Sequence, residues 1–233
     1  TEQLPNGVTL TWSGAQFRPS TDSMVLADFA APAKNAHVCD LGCGCGTLSL
    51  LLLATHPALR VTGVELQPDA AAVARENAAQ DALGGRFTVV EGDLRDPALL
   101  HAGSFDCAVS NPPYYPLASG YAAQSPALRA ARTEEHCSLL ELCRAASRLL
   151  RTGGRFFLVH KPERLADLLL PESALEPKRL QLVRHRADAP ANLVLLEAVR
   201  GGSPGLRLAP DCILYAPDGT LTPDGRRIYH QED

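Results

Sequence analysis

Short apolar runs recur along this chain with helix-compatible stretches between them, and that alternation restricts the fold more than any other feature. His37–Leu41 and residues 61–65, 87–90, 104–109 and 155–160 read as strands, each largely apolar and bounded by turn residues. Thr47–Thr55, the alanine-rich residues 69–81 and the amphipathic residues 134–150 read as helices between them. Repeated strand–helix–strand units give a parallel sheet covered on both faces by helices. Residues 180–185 and 193–199 also read as strands, but their link is too short for a parallel return, so they pair antiparallel. The expected class is α/β, a mostly parallel sheet with an antiparallel edge hairpin.

The rest of the chain is arranged around that sheet. Residues 8–12 read as a strand, residues 15–18 as its hairpin partner, and Ser20-Thr21-Asp22 as the N-cap of a helix over 24–30. A further helix is expected over 162–170. Residues 1–34 form an N-terminal hairpin and helix, 35–200 the main domain, and 201–233, rich in Gly and Pro, a tail or small appendage.

A glycine loop follows the first core strand: Asp40-Leu41-Gly42-Cys43-Gly44-Cys45-Gly46. Its glycines let the backbone turn tightly and approach a ligand. Their spacing is G-x-G-x-G and not the G-x-G-x-x-G of dinucleotide folds. Asp40 just ahead of the loop would repel a pyrophosphate and suits a ligand end carrying an amino group. Glu65 ends the next strand, where a carboxylate can accept both ribose hydroxyls. Asp93 follows the third strand, placed to accept an adenine amino hydrogen, with the Leu94 N–H free to meet a ring nitrogen. Singly, each acid reads equally as a solvated loop residue. Together, at successive strand ends, they favour an adenosine ligand.

Asn111-Pro112-Pro113-Tyr114 follows the fourth strand. Asn111 offers an amide oxygen. Two prolines fix the backbone, so the Pro112 carbonyl points in a set direction with no neighbouring N–H to pair with. Tyr114 adds a flat ring. Two acceptors and a stacking surface suit a planar NH₂ group, although Asn-Pro also begins ordinary β-turns.

This order of motifs resembles the class I S-adenosylmethionine-dependent methyltransferases, in the branch that methylates amino groups. Phe17-Arg18-Pro19-Ser20-Thr21-Asp22-Ser23, Glu176-Pro177-Lys178-Arg179, Ala191-Asn192-Leu193-Val194 and Gly201-Gly202 are similar to a bacterial group of tRNA adenine-N6 methyltransferases acting beside the anticodon of a valine tRNA. The resemblance implies a Rossmann-like, mostly parallel seven-stranded sheet. It implies S-adenosyl-L-methionine bound by Asp40, Gly42, Cys43, Gly44, Gly46, Glu65, Leu66, Asp93, Leu94 and Asn111, with Thr21 and Asp22 over the methionine end. The catalytic group would be Asn111, Pro112 and Tyr114, and the substrate would meet Arg18, Asn111, Pro112, Pro113 and Tyr114. RNA, in the form of tRNA, is the implied partner. A protein-glutamine N5-methyltransferase presents the same planar NH₂ to such a site and stays open.

Composition sets limits on these readings. A net charge of −4 gives no global attraction to a polyanion, so RNA must be met by local Arg and Lys contacts. Arg129, Arg132, Lys161, Arg164, Lys178 and Arg179 could line the substrate mouth, or be scattered solvated charges. The seven cysteines do not form a disulfide framework, and Cys43-Gly44-Cys45 lacks a second pair at zinc spacing, so no metal is expected. No stretch reads as a signal peptide and no apolar run is long enough for a membrane span, so a cytoplasmic location is expected. The histidines show no catalytic pairing, and His160 reads as a strand-end residue.

Overall fold

The computed structural model describes residues 1–12, 20–112, 114, 137–169 and 173–230. The chain opens with β1 (Glu2–Gln3) and β2 (Thr9–Leu10), which pair antiparallel, and continues into α1 (Thr21–Phe29). The expected strand near residue 9 therefore pairs with residues before it; the expected partner at 15–18 lies outside the described residues. Next come β3 (His37–Leu41), α2 (Thr47–Thr55), β4 (Arg60–Glu65), α3 (Pro68–Ala78), β5 (Phe87–Glu91) and β6 (Phe105–Ser110). After α4 (Leu139–Leu149) the chain enters β7 (Leu150–His160) without a loop, then the hairpin β8 (Leu175–Arg186) and β9 (Ala191–Arg200). Two short strands, β10 (Arg207–Leu208) and β11 (Cys212–Tyr215), and a helix at Pro223–Ile228 follow.

The sheet order is β10-β8-β9-β7-β6-β3-β4-β5, with β11 also on β8. Strands β5, β4, β3, β6 and β7 are parallel, and β9 is antiparallel to both its neighbours. The seven expected strands are present, but among the described residues the sheet has nine, because β10 and β11 both pair with β8 in parallel. The hairpin is thus not the edge. Its outer strand would expose a row of unpaired backbone groups, and the residues read as a tail cover them.

Side-chain alternation divides the core between the two sheet faces. Val38, Val109, Phe157 and Val159 pack with α1 and α2, while Cys39, Ala108, Phe156 and Leu158 pack with α4. Helix α2 is buried from Thr47 to Ala54, as expected of a helix apolar all round. Helix α4 starts later than its periodicity suggests. Ser138 caps it, accepting from Glu141 N–H while the Glu141 carboxylate accepts from Ser138 N–H, a reciprocal capping box. The helix expected over 162–170 is only a 3₁₀ turn at Pro162–Arg164 and one α turn at Leu165–Leu168.

Two features fix the glycine loop over the sheet. Gly46 begins α2 with φ +86°, and a Cβ there would stand 2.8 Å from the Phe87 ring. Asn77 of α3, buried, donates to Cys45 O at 2.8 Å and Thr11 O at 2.7 Å and accepts from Thr11 N–H at 3.0 Å. A left-handed conformation costs a non-glycine residue about 1–2 kcal/mol, and overpacking adds about 1–3 kcal/mol. Gly46→Ala should therefore lower stability by about 2–4 kcal/mol, read from urea unfolding. An unchanged midpoint would show that the Phe87 ring can move away.

Candidate active site

The ends of the parallel strands bring the sequence motifs together at one edge of the sheet, where open α/β folds bind ligands. Strands β3 and β6 are adjacent, with Asp40 beside Val109. The Ser110 hydroxyl donates to Leu41 O at 2.7 Å, tying the strand that carries Asn111 to the strand that opens the glycine loop. The loop is also tied to β4: the Gly42 and Cys43 N–H groups donate to Val64 O at 2.9 and 3.0 Å. Gly42 and Gly44 have φ +75° and +57°, and the Cβ position of Gly42 faces open space.

Two carboxylates lie buried beneath this loop. Asp40 is 1% exposed and accepts a hydrogen bond from the Ser49 hydroxyl at 2.7 Å. Burial pushes its pKa up to about 7; the Ser49 hydrogen bonds oppose the shift and the Glu65 charge adds to it. Glu65 accepts from Gly44 N–H and Gln67 N–H, each at 2.8 Å, and burial raises its pKa as well. A carboxylate has about four lone-pair sites, so both acids keep acceptor capacity for ligand donors. Leu66 is 39% exposed at the mouth. Cys43 is buried with its sulfur under Gly63, and burial pushes the thiol pKa well up, so it packs in place and meets a ligand only through its backbone.

Asp93 stands apart from this pair. Arg95 Nε lies 2.9 and 3.0 Å from its two oxygens and Nη2 lies at 2.5 Å, so the carboxylate is engaged by its own loop. Arg148 holds the Leu94 carbonyl at 3.0 Å.

On the other side of the site, α1 meets the Asn-Pro-Pro-Tyr segment. Asn111 Nδ2 donates to Ser23 Oγ at 3.0 Å, and the Tyr114 hydroxyl lies 2.6 Å from Asp22 Oδ2 and 2.8 Å from Asn111 Oδ1. Asn111, Pro112 and Tyr114 are half-buried. Arg18, Pro113, Arg129 and Arg132 lie outside the described residues. Among the other cations, Arg164 pairs with Asp167 and Arg179 with Glu197, whereas Lys161 Nζ stands 5.0 Å from the Tyr114 ring centre.

Several residues at the site escaped the sequence reading. His160 is fully buried and meets Tyr114 edge-on, with ring centres 5.2 Å apart. Its Nδ1 accepts from Lys161 N–H at 2.8 Å, and burial pushes its pKa down to about 4, which keeps the ring neutral. The signal was available: His160 ends a strand whose preceding residues are buried on both faces. Ser23 was read only as the last residue of the Phe17–Ser23 segment that carries the resemblance, with no role of its own. The Thr21 hydroxyl meets Tyr229 at 3.1 Å, and Arg227 holds Asp28 of the same helix at 2.8 and 3.1 Å. Among the described residues no cluster of His, Cys, Asp and Glu could hold a metal ion, and no helix is long and apolar enough to cross a membrane.

Chemically, two buried carboxylates at a glycine loop accept hydroxyl and ammonium hydrogens and repel phosphate. They also carry a linkage cost. The Asp40 pKa is raised on folding, so the folded chain keeps a proton that the unfolded chain releases near pH 4. Its contribution to stability is complete below about pH 4 and is lost as pH rises through about 7. In ligand-free protein, unfolding free energy should decline by a few kcal/mol across that window, and Asp40→Asn should remove most of the decline. Urea unfolding at pH 5 and pH 8 measures it; equal slopes in both proteins would dissociate Asp40 from the effect.

Known proteins place this arrangement. The chain is 36% identical to the tRNA1(Val) (adenine(37)-N6)-methyltransferase of Porphyromonas gingivalis over 165 residues, covering 68% of this chain and 64% of that protein's length. It is 34% identical to the Aeromonas hydrophila protein of the same name over 206 residues, 87% of this chain and 84% of the relative. A predicted O-methyltransferase of solved structure from Agrobacterium tumefaciens shares the fold with a TM-score of 0.74 at 22% identity, over 90% of this chain and 95% of that one. The methyltransferase small domain model matches residues 16–173, from ahead of α1 to beyond the segment that follows β7, and by that match the chain belongs to this methyltransferase family.

Proposed function

We propose that this protein transfers a methyl group from S-adenosyl-L-methionine to the N6 amino group of an adenine in tRNA, in the cytoplasm. The observation that carries the reading is the placement of Asn111 and Tyr114 beside the glycine loop, with two buried carboxylates below it. The relatives named for adenine-N6 methylation of a valine tRNA support the choice of substrate.

The residues fit this cofactor. Asp40 and Glu65 keep acceptor sites for its amino and hydroxyl hydrogens, and Gly42 presents backbone to open space. Gly44, Gly46, Leu66 and the Cys43 backbone complete the wall. Asp93 and Leu94 join it when Arg95 shares the Asp93 carboxylate. Bound, the cofactor supplies a methyl group made electrophilic by a positively charged sulfur.

The chain's own contribution is alignment. An exocyclic amine is a weak nucleophile because its lone pair is delocalised into the ring. Asn111 Oδ1 and the Pro112 carbonyl accept its two hydrogens and favour a more tetrahedral nitrogen. Fixed acceptors aimed at the charge developing on nitrogen lower the barrier, and a near-attack geometry removes entropy from it. Tyr114 stacks on the extruded base, a contact worth roughly 1–3 kcal/mol. His160 is neutral and buried and takes no proton.

Incubation with labelled cofactor and bulk tRNA, followed by digestion to nucleosides, should place the label in N6-methyladenosine. Label recovered only in protein as N5-methylglutamine would overturn the substrate assignment. Asn111→Ala should abolish transfer while cofactor affinity stays near normal, since the amine contact matters most in the transition state; normal turnover would remove Asn111 from the mechanism. Glu65→Ala should weaken cofactor binding by about 1.5–3 kcal/mol in calorimetry, the range for hydrogen bonds to charged groups.

A further inference from the structure

His160 and Lys161 both lie against the Tyr114 ring, and they differ in what holds them. His160 is fully buried edge-on to the ring, with its Nδ1 accepting from Lys161 N–H at 2.8 Å. Lys161 is half-buried, and its ammonium stands over the ring, 5.0 Å from the centre. The N–H bond pins the Lys161 backbone at the end of β7 and leaves the side chain to swing. The ammonium also approaches Asn192 O at 3.4 Å, a long and exposed contact. Among the described residues no carboxylate pairs with it, whereas the nearby Arg164 is taken by Asp167 at 2.5 Å.

A base that stacks on that face of Tyr114 takes the place of the ammonium. The exchange favours the ring, since a stacked base is a stronger partner than a cation at an exposed site. It leaves a positive charge displaced at the mouth of the site. In an RNA strand every base is joined through its sugar to a phosphate, so the group that displaces the ammonium brings an anion within a side chain's length of it. We propose that Lys161 is a substrate-binding residue that exchanges partners: its ammonium rests on Tyr114 in the empty protein and passes to a phosphate flanking the target nucleotide as the base enters. The inference rests on the proposed methylation of adenine in RNA, and it names a backbone contact for that substrate.

The exchange gives selectivity. A glutamine amide presents a planar NH₂ but brings no phosphate, so the ammonium it displaces returns to water without a new partner. A net charge of −4 gives the chain no general attraction for RNA, which makes one cation placed at the target count for more. Its place is set by two strands: Lys161 follows β7, Asn192 lies in β9, and these pair with His160 opposite Val194.

Lys161→Met removes the charge and keeps the stem. Its affinity for tRNA at low salt should fall roughly tenfold, the scale of one hydrogen bond to a charged group, and the log–log salt slope of binding should shrink by roughly 0.7–0.9, one phosphate contact. Cofactor affinity should stay within about twofold of normal, and Lys161→Arg should restore tRNA binding. The deciding arm uses a stem-loop RNA bearing the target adenosine, with a neutral methylphosphonate replacing the phosphate either 5′ or 3′ to it. One of these two RNAs should bind the wild-type protein roughly tenfold more weakly and the Lys161→Met protein with no further loss. The inference is overturned if the salt slope is unchanged, or if Lys161→Met weakens binding equally on the unmodified and both modified RNAs, which would put the ammonium on a base. It is also overturned if cofactor affinity falls as far as tRNA affinity. RNA methylation by the wild type keeps the proposed function standing in each of those cases, whereas wild-type protein that labels only protein overturns both.

Discussion

The pairing of β3 with β6 is the constraint on which the rest of the site depends. The glycine loop leaves the end of one strand and the Asn-Pro-Pro-Tyr segment leaves the end of the other, and their parallel register sets Asp40 beside Val109. The Ser110–Leu41 hydrogen bond then fixes the two exits against each other in a place water does not reach. A one-residue slip would turn every side chain of β6 to the opposite face. It would exchange Ala108 and Val109 between two cores and carry Asn111 away from the loop.

Holding two carboxylates in that place opposes stability. Burial disfavours their charged forms, and the structure offsets this only in part, with the Ser49 hydroxyl and backbone N–H on Asp40 and the Gly44, Leu66 and Gln67 backbone N–H groups on Glu65. Fully satisfied acids would leave nothing for a ligand. The partial satisfaction is what makes the loop a binding site, and it ties the stability of the empty protein to pH.

The second half of the site is built from parts far apart in the chain. Helix α1 brings Asp22 and Ser23 to Tyr114 and Asn111. Arg179 anchors the far end of that helix, its guanidinium 3.9 Å from the Phe29 ring centre and donating to Phe29 O at 2.8 Å. The C-terminal residues hold the helix from another side and, through β10 and β11, also cover the open edge of β8. One segment thus contributes to both the stability of the sheet and the geometry of the site.

Sequence alone determined what depends on local pattern. Buried strands such as His37–Leu41 and the all-apolar Thr47–Thr55 helix announce themselves by composition and length, and glycine spacing with acids at strand ends points to the ligand. The short hairpin link dictates antiparallel pairing because the chain cannot cross the sheet in so few residues. Tertiary structure decided what depends on partners distant in sequence. A two-residue strand such as β10 has no periodicity to read; only the exposed edge of β8 makes it one. Asp93 is the exception: its competitor Arg95 is only two residues away, and the turn between them decides that its oxygens go there. His160 looks like a strand-end residue until folding buries it against Tyr114, and that burial keeps it neutral. Asp22 reads as an ordinary first-turn acid, and only folding sets its carboxylate 2.6 Å from the Tyr114 hydroxyl, 92 positions away.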